Sequence, residues 1–266
     1  MPKKDKKVKD FWQDQAKQFQ GSHLATAPDT YYRQLEIKQI SQRLKNGKKI
    51  LDVGCGNGFS TIKFAEKFTQ SKFIGIDYSD QMINFAHKNL NQKSKLKNRL
   101  QFHVGDVRHL SRLDVLKGKK FDYIISERCL INLLNWPEQK TALLELKKLL
   151  KPGGQIILCE NTREGLSRLN KLRASFGLKP ITVRWHNYYM PEKKLLALAN
   201  KNFKIESAIN IGSLYYIISR VVYAKLAQLE GKEPQYLHPI NKIASRLPIL
   251  GNYSPNFIFV LRKKHD

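Results

Sequence analysis

The stretch Ile50-Leu51-Asp52-Val53-Gly54-Cys55-Gly56-Asn57-Gly58 decides the fold. A short apolar run that closes on Asp52 and then passes through alternating glycines reads as a strand, a tight loop and the start of a helix. The glycines leave the backbone open to a ligand, and the amide hydrogens of the helix start point toward it. In doubly wound folds such a loop holds a pyrophosphate, with the third motif glycine one place beyond Gly58. Phe59 stands there, and Asp52 adds a carboxylate where phosphates would lie. Both details disfavour a dinucleotide and favour a ligand that carries positive charge.

From Lys48 onward short apolar runs alternate with helical patterns, the sign of a parallel sheet covered by helices. Strands are expected at Lys49–Val53, Lys72–Ile76, Leu100–Val104, Phe121–Ser126, Gln155–Glu160, Phe203–Ile209 and Asn256–Leu261. Helices are expected near Thr61–Phe68, Ser79–Asn89, Trp136–Leu150 and Pro191–Asn200. Lys151-Pro152-Gly153-Gly154 should end the third of these and turn the chain into the next strand. Upstream, Phe11, Trp12, Gln15, Ala16 and Phe19 suggest a short amphipathic helix, and Tyr32 to Leu44 a second one stopped by Asn46-Gly47. The fold class is therefore α/β. The chain divides into a basic N-terminal tail and helices over 1–47, a core over 48–211, an insertion over 212–255 that reads as a substrate cap, and a last strand with a basic tail over 256–266.

Two further segments carry site chemistry. Phe73-Ile74-Gly75-Ile76-Asp77 ends the second strand on a carboxylate able to accept from both hydroxyls of a ribose. In Val104-Gly105-Asp106-Val107, Asp106 is placed to accept from an adenine amino group and Val107 to cover the ring. S-adenosylmethionine (SAM), with its ammonium and sulfonium, meets the charge requirement of the first loop. In order and spacing these segments resemble the class I SAM-dependent methyltransferase family over roughly Lys48 to Phe203. The resemblance implies a doubly wound, mostly parallel, seven-stranded sheet whose last strand is antiparallel. It also implies SAM as cofactor and S-adenosylhomocysteine (SAH) as product. On this resemblance Asp52, Gly54, Cys55 and Gly56 line the methionine part of SAM, Asp77 holds the ribose, and Tyr78 and Met82 contact the adenine, with Met82 as plain core the alternative. Arg33 is a candidate partner for the SAM carboxylate, and an ordinary surface arginine is the simpler expectation.

Methyl transfer needs alignment of an acceptor with the S–CH3 bond, exclusion of water and, for a hydroxyl, removal of a proton. The acceptor end should lie beyond the fourth and fifth strands, at Ser126-Glu127-Arg128-Cys129 and Cys159-Glu160-Asn161-Thr162-Arg163. Family enzymes that methylate nucleobase amines usually carry Asn/Asp-Pro-Pro-aromatic after the fourth strand, and those acting on cytosine C5 use Pro-Cys. Ser-Glu-Arg-Cys matches neither pattern. His186, in Arg184-Trp185-His186-Asn187-Tyr188-Tyr189, is the candidate general base, with a packed histidine as the alternative. Glu127 is the next candidate and also a candidate cofactor contact. Arg128, Asn161, Arg163, His186, Tyr188 and Tyr215 are candidate acceptor contacts. Glu127, Glu160 and Asn161 form an oxygen-rich set, but the spacing is not diagnostic and no metal is expected. Cys55, Cys129 and Cys159 should fall near the carboxyl ends of three neighbouring strands, as filler or lining the cleft.

With 266 residues, 41% of them hydrophobic, one folded domain with decoration is expected. The net charge of +26 is spread over the chain rather than gathered in one run, with clusters such as Lys93-Lys95-Lys97-Arg99 and Arg262-Lys263-Lys264. Cysteine usage and the lysine-rich N-terminus point to a reducing cytoplasm without a secretory signal. Ile211 to Leu229 is apolar but broken by Arg220 and Lys225, so peripheral contact with a membrane is conceivable and a span is not expected. The expected acceptor is a small molecule, sugar or lipid-linked compound methylated on oxygen or nitrogen. An RNA methyltransferase, suggested by the charge, and a non-catalytic SAM-binding module are the alternatives, with nucleic acid the less favoured partner.

Overall fold

A computed structural model of the chain describes residues 3–264; residues 1–2 of the basic N-terminal tail and 265–266 of the C-terminal tail lie outside them. Strand β1 spans Lys49–Val53, β2 Lys72–Asp77, β3 Leu100–Val104, β4 Phe121–Glu127, β5 Leu150–Asn161, β6 Phe203–Asn210 and β7 Asn256–Lys263. They form one seven-stranded sheet in the order β3-β2-β1-β4-β5-β7-β6. The central strands are parallel, and β7 runs antiparallel between β5 and β6. Parallel strands need both faces covered, and the side chains of β1 show how that is met. Leu51 and Val53 point into one core with Leu143, Leu146, Leu195 and Ala199. Ile50 points into the other, with Ile40, Phe64, Ile83 and Ala86.

The helices that supply those residues are α2 (Thr30–Ser41), α3 (Phe59–Lys67) and α4 (Asp80–Asn91) on one face, and α5 (Trp136–Leu149) and α7 (Glu192–Asn202) on the other. Side chains that accept a free amide mark their starts: Asp29 caps α2, Ser79 caps α4 and Asn135 caps α5. Each such cap is worth about 1 kcal/mol. Helix α1 (Lys3–Phe19) is longer than its apolar pattern alone suggests, because Lys-rich sequence is itself helix-compatible and Val8 and Ala16 anchor it by burial.

Two expectations need correction. Lys151-Pro152-Gly153-Gly154 is not a turn between helix and strand but part of the strand: α5 ends at Leu149, β5 begins at Leu150, and the register slips between Phe121 and Tyr123 of the facing strand. Gly153, at φ 70°, takes the positive φ that this irregular segment requires. Helix α6 (Arg163–Ser175) occupies a stretch for which no helix is expected. Thr162 caps it and Leu166 and Leu169 bury its inner face, but Gly165 in the first turn obscures the pattern. The glycine is required there, since a Cβ would stand 2.5 Å from the Ser254 carbonyl oxygen.

The segment between β6 and β7 holds α8 (Ser213–Tyr216), a π-helical turn over Ile217–Val222, α9 (Tyr223–Leu229) and α10 (Pro239–Ala244). Among the described residues no helix is long and apolar enough to cross a membrane.

Candidate functional site

A cavity of about 300 Å³ opens at the carboxyl ends of β1, β2, β3 and β4, where loops of a doubly wound sheet converge. Its floor is the loop after β1. The amides of Gly54 and Cys55 donate to the Ile76 carbonyl oxygen at 2.7 and 3.1 Å, which folds the loop toward β2. Gly54 has φ 69°, and a Cβ there would lie 2.5 Å from Cβ of Cys129. Glycine is thus demanded twice, by conformation and by the turn after β4. Asp77 ties the loop to β2: its Oδ2 accepts from the Gly56 amide and its Oδ1 from the Ser79 amide, both at 2.9 Å. Burial pushes this carboxyl up to about 6 despite those amides.

Arg33 is buried rather than on the surface. Its Nη1 lies 2.7 Å from Oε1 of Glu127, its Nη2 donates to Thr26 Oγ1 at 3.2 Å, and its Nε is buried without a partner. At the far side Asp106 is engaged by the amide and guanidinium of Arg108. Arg108 Nη1 also reaches Asp5 at 2.6 Å and Glu138 at 3.0 Å. The arginine therefore bolts α1 to the end of β3. Trp12 on the same helix donates to Asn132 Oδ1 at 3.0 Å, and Phe11 stacks on His186 with ring centres 4.2 Å apart. Asp5, Val8 and Trp12 thus roof the cavity. None of the three is a sequence-predicted site residue, because a helix so far from the loops in sequence carries no local mark of its docking place.

Of the sequence-predicted residues, Arg33, Gly54, Gly56, Asp77, Tyr78, Met82, Asp106, Val107, Glu127, Arg128, Asn161 and His186 line this cavity. Asp52, Cys55, Arg163, Tyr188 and Tyr215 do not. Asp52 faces α3, where its Oδ2 accepts from the Thr61 hydroxyl at 2.6 Å. Cys55 packs in the core under the sheet. Arg163 lies over the Tyr188 ring, 4.0 Å from its centre, beside a separate shallow cleft. The Tyr215 hydroxyl donates to Asp29 at 2.7 Å. Their neighbours Tyr189 and Tyr216 face the cavity instead, joined by Arg220 and Tyr236 of the insertion. Of the cysteines, Cys129 lines the cavity, while Cys55 and Cys159 are buried.

Glu160 serves structure rather than a metal. Its Oε1 accepts from the amides of Cys129 and Leu130 and from Ser126 Oγ at 2.8 to 2.9 Å, and its Oε2 from the Ile131 amide at 3.3 Å. Among the described residues no three His, Cys, Asp or Glu side chains group closely enough to hold a metal ion. His186 is buried, and desolvation aided by the charge of Arg184 lowers it to about 4.

The donor set fits SAM. Arg33 Nε is a buried donor without a partner beside the glycine loop, suited to a carboxylate. Asp77 retains lone pairs for ribose hydroxyls, and Gly54 and Gly56 leave the backbone bare between them. Asp106 fits its predicted adenine role less well, because each of its oxygens already accepts from two N–H groups of Arg108, whereas each oxygen of Asp77 accepts from one.

Comparison with known proteins shows the family and the fold. A family model described as "Methyltransferase domain" matches residues 44–219. The chain belongs to the class I SAM-dependent methyltransferase family, whose cofactor is SAM. Among curated relatives, an uncharacterized protein of Rickettsia prowazekii is 35% identical over 152 residues, 56% of this chain and 56% of its own. A demethylmenaquinone methyltransferase of Staphylococcus saprophyticus is 29% identical over 133 residues, 50% of this chain and 52% of its own. The chain thus spans about half the length of the curated relatives it matches. A magnesium protoporphyrin IX methyltransferase from Synechocystis PCC 6803, solved with SAM, shares the fold at a TM-score of 0.61 and 14% identity over 99% of each chain.

The buried carboxyls give the site a pH dependence. Burial raises Asp52, Glu36 and Glu160 to about 7 and Asp77 to about 6. At these four groups the folded protein holds protons that the unfolded chain has released, so they take stability from the ligand-free protein as pH rises from about 4 to about 7, while His186, lowered to about 4, adds stability over the same window. As a ribose acceptor Asp77 would make cofactor affinity run the other way, since an ionised carboxylate accepts hydroxyls best. Titration of SAH by calorimetry should show affinity falling below pH 6, and a flat profile between pH 5 and 8 would exclude Asp77 as the ribose acceptor.

Proposed function

We propose that the chain catalyses methyl transfer from SAM to the oxygen or nitrogen of a small-molecule acceptor, free or lipid-linked, held between the loop after β4 and the segment 212–255. The observation that carries this reading is the roofing of the cavity, by α1 on one side and by Tyr216, Arg220 and Tyr236 on the other. Such a chamber suits a compact acceptor and excludes water from the reacting centre. When bound, SAM supplies a methyl group on a sulfonium. Gly54, Gly56, Asp77, Arg33 and Glu127 hold and orient its polar ends. Arg128, Asn161 and Tyr189 face the acceptor.

His186 acts as a wall in this reading. A group at about 4, stacked under Phe11, is neutral at physiological pH and too weak to draw a proton from an ordinary hydroxyl efficiently. His186→Gln is expected to lower kcat less than tenfold and to leave its pH profile unchanged; loss of a limb in that profile would restore the histidine as base.

The test of the whole reading is transfer of labelled methyl from SAM by the purified chain into a small-molecule extract, a total-lipid extract or RNA. Label in either of the first two supports the proposal. Label in RNA alone would replace it with an RNA methyltransferase, and SAH binding without SAH release from any pool would replace it with a binding module.

A further inference from the structure

The acceptor end of the cavity has a charge pattern that the cofactor does not use. Arg128 follows β4 with φ 53°, a left-handed conformation that costs a residue with a side chain on the order of 1 kcal/mol. The surroundings hold it there: its amide donates to the Cys159 carbonyl oxygen at 2.8 Å and its own carbonyl accepts from Asn132 Nδ2 at 2.9 Å. The result is a guanidinium whose Nη2 lies 3.2 Å from Glu36 Oε2 and whose Nε is buried without a partner. Glu36 is fully buried, and burial raises it to about 7, so near neutral pH it offsets Arg128 only in part.

A second guanidinium arrives from the insertion. Arg220 sits in the π-helical turn Ile217–Val222, a rare geometry that concentrates at functional sites. It pairs with Asp29 and lies 4.8 Å from the Tyr236 ring centre and 5.7 Å from that of Tyr216. Asp29 is already shared with the Tyr215 hydroxyl and the Tyr32 amide. The other carboxylates among the described residues that line the cavity are Asp77 on the glycine loop, Glu127, which pairs with Arg33 and also lies near enough to Arg128 to raise it, and Asp5 and Asp106, both on Arg108. Arg128 and Arg220 thus line the cavity beside flat aromatic faces, and each guanidinium keeps donors beyond those its carboxylate partner takes.

We infer that the acceptor is a planar compound bearing an anionic oxygen, which Arg128 and Arg220 bind while Tyr189, Tyr216 and Tyr236 flank its plane. This inference rests on the methyltransferase reading above and adds the acceptor's chemical class to it. Guanidinium forks match carboxylate, phosphate or ionised hydroxyl oxygens; a lone pair of such an oxygen forms the O–CH3 bond as the S–CH3 bond breaks and its electrons return to sulfur, so SAH leaves, no proton is released and no general base is needed.

The experiment loads the full chain with SAH and titrates four probes by NMR: benzoate, benzamide, benzylamine and acetate. SAH binding itself reports on the methyl-donor site, so its failure would be a failure of the underlying reading and not of this one. Benzoate is expected to bind at least tenfold more tightly than benzamide, benzylamine and acetate. Arg128→Gln and Arg220→Gln should each remove most of the benzoate preference over benzamide while SAH affinity stays within threefold. The inference is overturned if benzoate shows no advantage over benzamide or benzylamine in the SAH-loaded wild type, undetectable binding included. That ranking needs no variant to fold. If both variants fold and keep the full preference, the anion is read elsewhere and the assignment to these arginines is equally overturned.

Discussion

Replacing Glu160 by alanine is expected to destabilise the protein by about 4 kcal/mol, enough to leave a marginal domain largely unfolded. The carboxylate accepts from three successive amides, Cys129, Leu130 and Ile131, and from the Ser126 hydroxyl. Each donor stranded without water costs about 1 to 3 kcal/mol, and incomplete relaxation keeps the sum below four full penalties. The turn it organises also presses Cys129 against Gly54 and holds Arg128 in its left-handed conformation. Glu160→Gln keeps one acceptor oxygen and should cost roughly half as much. Denaturant titration of both variants checks the order. Equal stability of Glu160→Ala and wild type would mean that the turn holds itself.

Replacing Asp77 by alanine is expected to weaken SAH binding by about 100-fold, or roughly 2.7 kcal/mol. Two losses would combine if Asp77 holds the ribose as proposed: the ribose loses its acceptor, and the Gly56 amide loses the contact that pins the glycine loop. Asp77→Asn separates them. The amide retains one oxygen, so the loop can stay in place while charge-assisted binding is lost, and a drop of about tenfold is expected. Calorimetry with SAH measures both, and affinity within threefold of wild type for the alanine variant would remove Asp77 from the site.

What could be read from the sequence follows from how local each cause is. The run Ile50 to Gly58 and the carboxylate of Asp77 are strand ends followed by turns, and their spacing alone places them together. Asp52 shows the limit. Side chains alternate along a strand, so with Leu51 and Val53 in one core, Asp52 shares the opposite face with Ile50 and meets Thr61. The aromatic pairs fail by one residue for a similar reason: Tyr189 and Tyr216 face the cavity where Tyr188 and Tyr215 are expected, because orientation within Tyr-Tyr depends on the phase of the backbone. Phase in the second pair is set by a short helix running into a π-helical turn, which apolar periodicity does not reveal. Glu160 read as a possible ligand because its type and strand-end position suit one. Only the fold shows that three amides converge on it. Trp12 marks a helix and Arg220 a break in an apolar run, but the contacts that they and Arg108 make are not legible, since Asn132, Asp29 and Asp5 lie far along the chain from them.

Helix α1 is fastened at positions remote in sequence: Trp12 to Asn132, Asp5 to Arg108, and Phe11 to His186. It also packs on α4 through Trp12, Ala16 and Phe19 against Met82 and Phe85 and pairs Lys9 with Asp80, yet it adds no strand to the sheet. Segments bound that way detach at less than the free energy of global unfolding. Opening the roof of the cavity at α1 would therefore break side-chain contacts and leave every strand pairing of the sheet in place.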